Sequence, residues 1–211
     1  MSILNEISQN LQIGKAKIVK ELVQKALDEG HKPQEILNAG LLPGMAVIGE
    51  KFKNDEIYVP DVMIAARAMN MGTELLKPLL ALSGVKAAGK VIIGTVAGDL
   101  HDIGKNLVKM MMEGRGLEVV DLGVDVSAGR FVETAINENA RIIACSTLLT
   151  TTMTEMENVV KAAENAGIRN KISIMIGGAP VTQSFCETIS ADYYTADAAS
   201  AADVAAKICE G

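Results

Sequence analysis

KVIIGTVAGDLHDIGKN, Lys90 to Asn106, joins a continuous apolar run to a short polar loop. The run Lys90–Ala97 has the pattern of a strand buried on both faces, because alternation disappears when neither face meets water. Apolar spacing then predicts a helix from about Ile103 to Gly114. The same succession repeats downstream. LEVVDLG (Leu117–Gly123) predicts a second strand and Gly129–Asn139 a helix. RIIACS (Arg141–Ser146) predicts a third strand, followed by a helix from about Thr152 to Ala166. KISIMIGG (Lys171–Gly178) is the fourth strand, Ala191–Tyr194 a short fifth, and Ala198–Ile208 a closing helix. Strands that alternate with helices imply βαβ units and a parallel sheet.

The fold class is therefore α/β, with a flavodoxin-like (Rossmann-type) doubly wound five-stranded parallel sheet in the order 2-1-3-4-5. Upstream of it the sequence reads differently. Ile18, Leu22, Val23, Ala26 and Leu27 share one face of a helix ending at Gly30. Pro33 suits the first turn of a second helix through Leu41, and a third runs from Pro43 toward Phe52. A fourth follows Pro60, carries Val62, Met63, Ala66, Met69 and Leu76, and is bent or ended by Gly72 and Pro78. Four helices with short turns predict a four-helix bundle. Residues 1–88 are thus expected to form a helical domain and 89–211 the α/β domain, with Ser83–Lys90 (SGVKAAGK) as linker.

Composition narrows the function. A net charge of −6 argues against nucleic acid, whose phosphates demand Lys/Arg surfaces. No window approaches the ~20 apolar residues needed to span a membrane, and the first residues lack a signal peptide's apolar core. Cys145, Cys186 and Cys209 are widely spaced and form no CxxC pair. They read as reduced thiols, and the expected location is the cytoplasm.

In such a sheet a ligand sits beyond the carboxyl ends of the strands where the winding reverses, here between strands one and three. Strand one empties into Gly98-Asp99-Leu100-His101-Asp102-Ile103-Gly104, and strand three into Ser146-Thr147-Leu148-Leu149-Thr150-Thr151-Thr152. Strand four adds the small residues Gly177, Gly178 and Ala179. Of the two histidines, His31 falls in a helix-to-helix turn, whereas His101 follows Asp99 by two residues. A metal-bound imidazole usually donates its other N–H to a carboxylate, and Asp99 can supply it. One histidine is too few for a zinc site with three protein ligands. A lone ligand makes better sense for a metal already held in a macrocycle. The alternative is that Asp99 and Asp102 are helix caps and His101 a polar loop residue.

GDLHDIGKN (Gly98–Asn106) resembles the Asp-x-His-x-x-Gly signature of vitamin B12-binding domains, and Ser146-x-Leu148 and Gly177-Gly178 complete it in order. The preceding GMAVIGEKF and YVPDVMIAARAMNMG resemble the cap domain of methionine synthase and of corrinoid proteins of methyltransferase systems. The resemblance implies cobalamin or a related cobamide, with His101 replacing the cobamide's own base as the lower ligand to cobalt. Asp99 then accepts from the distal imidazole nitrogen, and Thr152, where the family has serine, continues the relay. It also implies that Ser146 and Thr150 contact the displaced nucleotide tail, with Leu100, Asp102, Ile103, Gly104 and Leu148 part of the surrounding motif. Gly94, Gly98, Gly177, Gly178 and Ala179 would leave room for the tail. Tyr58, Val62, Met63, Ala66 and Met69 would cover the upper, methyl-bearing face.

By the same resemblance the chain is a methyl carrier, not catalytic alone, cycling between cob(I)amide and methylcob(III)amide. Its partners would be a substrate-specific corrinoid methyltransferase, a second methyltransferase acting on tetrahydrofolate or coenzyme M, and a reductive activation protein. The helical domain would swing aside near Ser83–Gly89. The donor (methylamines, methanol, glycine betaine or methoxylated aromatics) is left open. Two other readings stand beside it: a corrinoid subunit of a mutase or a B12-dependent sensor, and a cofactor-free flavodoxin-like interaction module.

Overall fold

The computed structural model describes residues 2–82 and 88–210. These fall into two compact units, one drawn from Met1–Ala87 and Gly114–Gly116 and the other from Ala88–Glu113 and Leu117–Gly211. Most of the expected linker and hinge, residues 83–87, lies outside the described residues.

The helical unit contains α1 (Ile3–Gln12), α2 (Ala16–Asp28), α3 (Pro33–Ile36), α4 (Leu42–Lys53) and α5 (Val59–Leu82). The sequence reading did not include α1, although Leu4, Ile7 and Leu11 are spaced as a helix face and all three are buried. Ser2 caps it, accepting from the Asn5 N–H at 3.3 Å. α3 and α4, expected as separate helices, are continuous through a π turn at Leu37–Leu41, in which the Leu42 N–H reaches back to the Leu37 carbonyl. The cause is Pro43: it has no N–H to give, and its ring would strike the carbonyl four residues back in a regular α-turn. Four helical rods result, partitioned differently from the expectation.

α5 does not take the earlier end that the sequence allows. Gly72 and Pro78 both lie inside the helix and neither ends it. A Cβ at Gly72 would approach Leu41 Cδ2 to 2.9 Å and Val19 Cγ1 to 3.3 Å, so this glycine permits close helix packing. In α2 the buried face is Val19, Val23 and Ala26, which leaves Ile18 exposed.

The second unit is a five-stranded sheet: β1 (Lys90–Thr95), β2 (Glu118–Asp121), β3 (Ile142–Ser146), β4 (Ser173–Gly177) and β5 (Tyr193–Tyr194). Its order is β2-β1-β3-β4-β5 and every pairing is parallel, as the sequence predicts. Val91 to Thr95 are all buried, because β1 lies between two neighbours and under helices. Val96, expected in β1, makes only an isolated bridge to Val126. Helices α6 (Ile103–Gly114), α7 (Ala128–Asn137), α8 (Thr154–Asn165), α9 (Gln183–Thr188) and α10 (Ala198–Glu210) complete the unit. Ile92, Phe131, Ile143, Met156 and Ile174 are central to one core layer. From β1 the chain moves outward to β2 and returns on the other side to β3, so the winding reverses at the β1–β3 ends. No helix among the described residues is long and apolar enough to cross a membrane.

A candidate cofactor site at the carboxyl ends of β1 and β3

The loop after β1 is fixed by its own neighbours. The buried Thr95 hydroxyl donates to the His101 carbonyl at 2.8 Å. Gly98 turns the chain at φ +78°, a conformation glycine adopts without strain, and its N–H donates to Asp125 Oδ1 at 2.7 Å. Asp125 in turn gives its N–H to the Asp99 carbonyl at 3.0 Å. None of these partners (Thr95, Asp125) was singled out by the sequence reading. Both are ordinary residues of strand and loop, and only the fold places them against the motif.

Asp99 is fully buried and saturated with donors. Its Oδ1 accepts from the His101 backbone N–H at 3.0 Å and from the imidazole Nδ1 at 2.7 Å. Its Oδ2 accepts from the Leu148 N–H at 2.6 Å, the Thr147 hydroxyl at 2.8 Å and the Leu149 N–H at 3.2 Å. Burial by itself pushes the carboxyl's pKa up. The hydrogen bonds from the backbone of His101 and Leu148, then from the His101 and Thr147 side chains, reverse this and hold it well below the usual carboxylate range. An ionised carboxylate has no proton to donate, so Nδ1 of His101 must carry the hydrogen. In the uncharged ring the lone pair is then on Nε2. That side chain is 52% exposed, and Nε2 has no hydrogen-bond partner among the described residues. Asp99 therefore fixes the imidazole by Nδ1 and leaves Nε2 on the exposed side chain able to accept, and its own carboxylate serves the loops, not a helix end.

Thr152 is buried close by, 2.6 Å from the Thr147 hydroxyl oxygen, 3.0 Å from the Leu149 carbonyl and 3.4 Å from Asp99 Oδ2. The hydroxyl in short contact with Asp99 is Thr147, which the sequence reading passed over. Its only mark in sequence is its place directly after the apolar strand, and its residue type does not separate it from Thr150, Thr151 and Thr152.

The remaining expected residues divide. Leu100, Asp102, Ile103 and Gly104 are exposed around His101, and Leu148 and Thr150 are exposed on the facing loop. Ser146 ends β3 in register with Thr95 and Gly177. Gly178 has φ +132°, and a Cβ there would run into the Thr147 backbone carbonyl. Gly177 is half-buried and Ala179 exposed. Gly94 is not brought to the loops: a Cβ on it would lie 2.8 Å from the Phe131 ring, so its space is taken by the core. In the helical unit Val62, Ala66 and Met69 are buried in packing, whereas Tyr58 and Met63 are exposed.

Among the described residues no three His, Cys, Asp or Glu side chains converge on a point that could hold a metal ion. His101 is one donor, and Leu100 and Ile103 on its own segment and Leu148 and Leu149 on the loop after β3 expose apolar side chains. That donor set fits a metal whose other positions are filled by a large, partly apolar ring, and does not fit a bare ion. Comparison with known proteins agrees. Residues 89–206 match the family described as B12 binding domain, and residues 3–77 match a second family of the same description. The chain belongs to the B12-binding proteins.

Among its relatives in this family is a corrinoid protein of Desulfitobacterium hafniense, 38% identical over 99% of this chain and 98% of the relative. Trimethylamine corrinoid protein 1 of Methanosarcina acetivorans is 41% identical over 91% of this chain and 88% of its own length. Among solved structures, the methanol:cobalamin methyltransferase complex of Methanosarcina barkeri contains a chain that superposes with a TM-score of 0.88 at 32% identity, covering 99% of this B12-binding chain and 80% of that one.

Proposed function

We propose that this B12-binding chain is a corrinoid methyl carrier, in which His101 Nε2 is the lower ligand to cobalt. The observation that carries the reading is the Asp99–His101 pair at 2.7 Å, with Nε2 left free amid exposed apolar side chains at the β1–β3 crossover. The names of the relatives, which include trimethylamine and methanol systems, support the methyl-transfer half of it. When bound, the corrinoid supplies a cobalt able to accept a methyl group from a donor and release it to an acceptor.

The chain supplies the rest. Asp99 holds the proton on Nδ1 and keeps the Nε2 lone pair outward. The exposed side chains of Leu100, Ile103 and Leu148, on the segments that carry His101 and Thr147, offer apolar surface to the macrocycle. Gly98, Asp102, Gly104, Ser146, Thr150, Gly177 and Ala179 form the polar and small-residue lining for the ligand's nucleotide tail, and Gly178 serves it by letting the Thr147 backbone pack close. Exposed Tyr58 and Met63 are the contribution we assign to the helical part, which we take as residues 1–88, with 89–211 as the binding domain. The partners in this reading are a substrate-specific methyltransferase, a second methyltransferase for tetrahydrofolate or coenzyme M, and a reductive activation protein. Three buried, free cysteines suit a reducing cytoplasm.

The test is reconstitution with cobalamin, followed by incubation with candidate methyltransferases and a panel of methylamines, methanol, glycine betaine and methoxylated aromatics. The reading predicts one cobalt per chain and methylation of the bound corrinoid by one donor–enzyme pair. Failure to retain the corrinoid, or retention with preference for an adenosyl form and no methylation, would overturn it.

A further inference from the structure

Two threonine hydroxyls stand near the buried carboxylate, and each has a single proton. Thr147 Oγ1 is 2.8 Å from Asp99 Oδ2, Thr152 Oγ1 is 3.4 Å from the same oxygen, and the two hydroxyls are 2.6 Å apart. A separation of 2.6 Å between hydroxyl oxygens requires a hydrogen between them. If Thr147 donated to Thr152, the Thr152 proton would go to the Leu149 carbonyl at 3.0 Å or to Asp99 at 3.4 Å, and the Thr147 oxygen would face the ionised carboxylate at 2.8 Å with a lone pair, an unfavourable contact. If Thr152 donates to Thr147, both short contacts are hydrogen bonds and run in one direction, Thr152 to Thr147 to Asp99. The backbone fixes where Thr147 sits. Thr147 is only 2% exposed and its carbonyl is packed against Gly178, where a Cβ has no room.

We infer that Thr147 is the positioning residue that locks Asp99 against His101, and that Thr152 acts only through Thr147. The inference rests on His101 being the corrinoid's ligand, and it changes which side chain sets that ligand's orientation. The Thr147 bond, with the Leu148 and Leu149 N–H groups, fixes Oδ2, so that Oδ1 is the oxygen presented to the imidazole Nδ1. Without the Thr147 hydroxyl only the backbone N–H groups of His101, Leu148 and Leu149 hold the carboxylate, and the ring's preference for a free Nε2 weakens.

The experiment compares Thr147→Val, Thr147→Ser and Thr152→Val with the parent chain in two measurements. The first needs no corrinoid: long-range nitrogen–proton NMR of the full-length apoprotein, at a pH where both imidazoles are uncharged, reads the ratio of Nδ1–H to Nε2–H forms of His101. His31 is the only other histidine and serves as internal reference. The second is the visible spectrum of the cob(II)alamin-loaded proteins, which gives the fraction of cobalt carrying the histidine. In Thr147→Val the tautomer ratio should fall about tenfold, the size expected for one lost hydrogen bond to a charged group, and the histidine-bound fraction should fall with it. Thr147→Ser should restore both, and Thr152→Val should move each by less than about threefold. Circular dichroism checks that each variant is folded; should Thr147→Val not fold, the Ser and Thr152→Val comparison still decides. A Thr152→Val effect as large as that of Thr147→Val, or an unshifted ratio in folded Thr147→Val, would overturn the inference. If the parent chain shows the Nδ1–H form yet binds no corrinoid, the functional reading fails while the tautomer result still judges Thr147.

Discussion

Lys105 is an ammonium group with almost no access to water, and its Nζ lies 2.7 and 2.8 Å from the two carboxylate oxygens of Asp121. Its third contact is Asn106 Oδ1 at 2.7 Å. Burial pushes the Asp121 carboxyl's pKa up, but the Lys105 hydrogen bonds, the Gly123 N–H and the nearby Lys105 and Lys109 charges bring it below the ordinary value. Removing one partner of a buried pair leaves the other charge uncompensated, so Asp121→Asn should cost about 3 kcal/mol near neutral pH. Because the native pKa is lowered, the stability it carries is complete above the unfolded-state value of about 3.9 and is lost as pH falls through the lower native one. Urea unfolding at a series of pH values should therefore show the two proteins converging below about pH 4. A constant gap at all pH values would deny the pair this role. At the same scale, Asp99 and His101 were legible because two residues on one loop must be neighbours wherever that loop goes. Thr147 and Asp125 were not, since their contacts with Asp99 and Gly98 span 48 and 27 positions of sequence and exist only after folding.

The β4–α9 connection shows what an element end can enforce. Gly178 follows β4 with φ +132°, a region essentially closed to side chains, and sits against the Thr147 backbone at the end of β3. Gly178→Ala should destabilise the fold by about 1–3 kcal/mol through strain alone. It should also displace the loop carrying Thr147 and Leu148, lowering corrinoid retention more than a substitution of equal stability cost elsewhere. Thermal melts and cobalt content of the reconstituted protein measure the two effects. A melting point equal to the parent's would show that the carbonyl contact is easily relieved. Gly94 makes the complementary case. Sequence offers no way to tell a glycine that admits a ligand from one that admits a Phe131 ring, because both read as a small residue near a strand end.

At the scale of the molecule, strand order followed directly from sequence. Five apolar runs separated by helix-length segments leave few parallel topologies, and the reversal point between β1 and β3 comes with the order. The helical unit was less legible. The π turn before Pro43 lets a proline that reads as a helix start lie inside a continuous helix, and Leu4, Ile7 and Leu11 belong to a helix of only ten residues. The Met-rich face of α5 was ambiguous for a different reason: Met69 and Val62 are core, and Met63, one residue from Val62, is exposed. All of this serves to place one imidazole with its Nε2 free. The most direct test is electron paramagnetic resonance of the cob(II)alamin-loaded protein grown on nitrogen-15 histidine with unlabelled cofactor. Coordination by His101 predicts that the three-line axial splitting of a nitrogen-14 ligand becomes two lines, and that His101→Ala abolishes the two-line pattern. A splitting that stays threefold would mean that the cofactor's own base is still bonded to cobalt, and it would contradict the account.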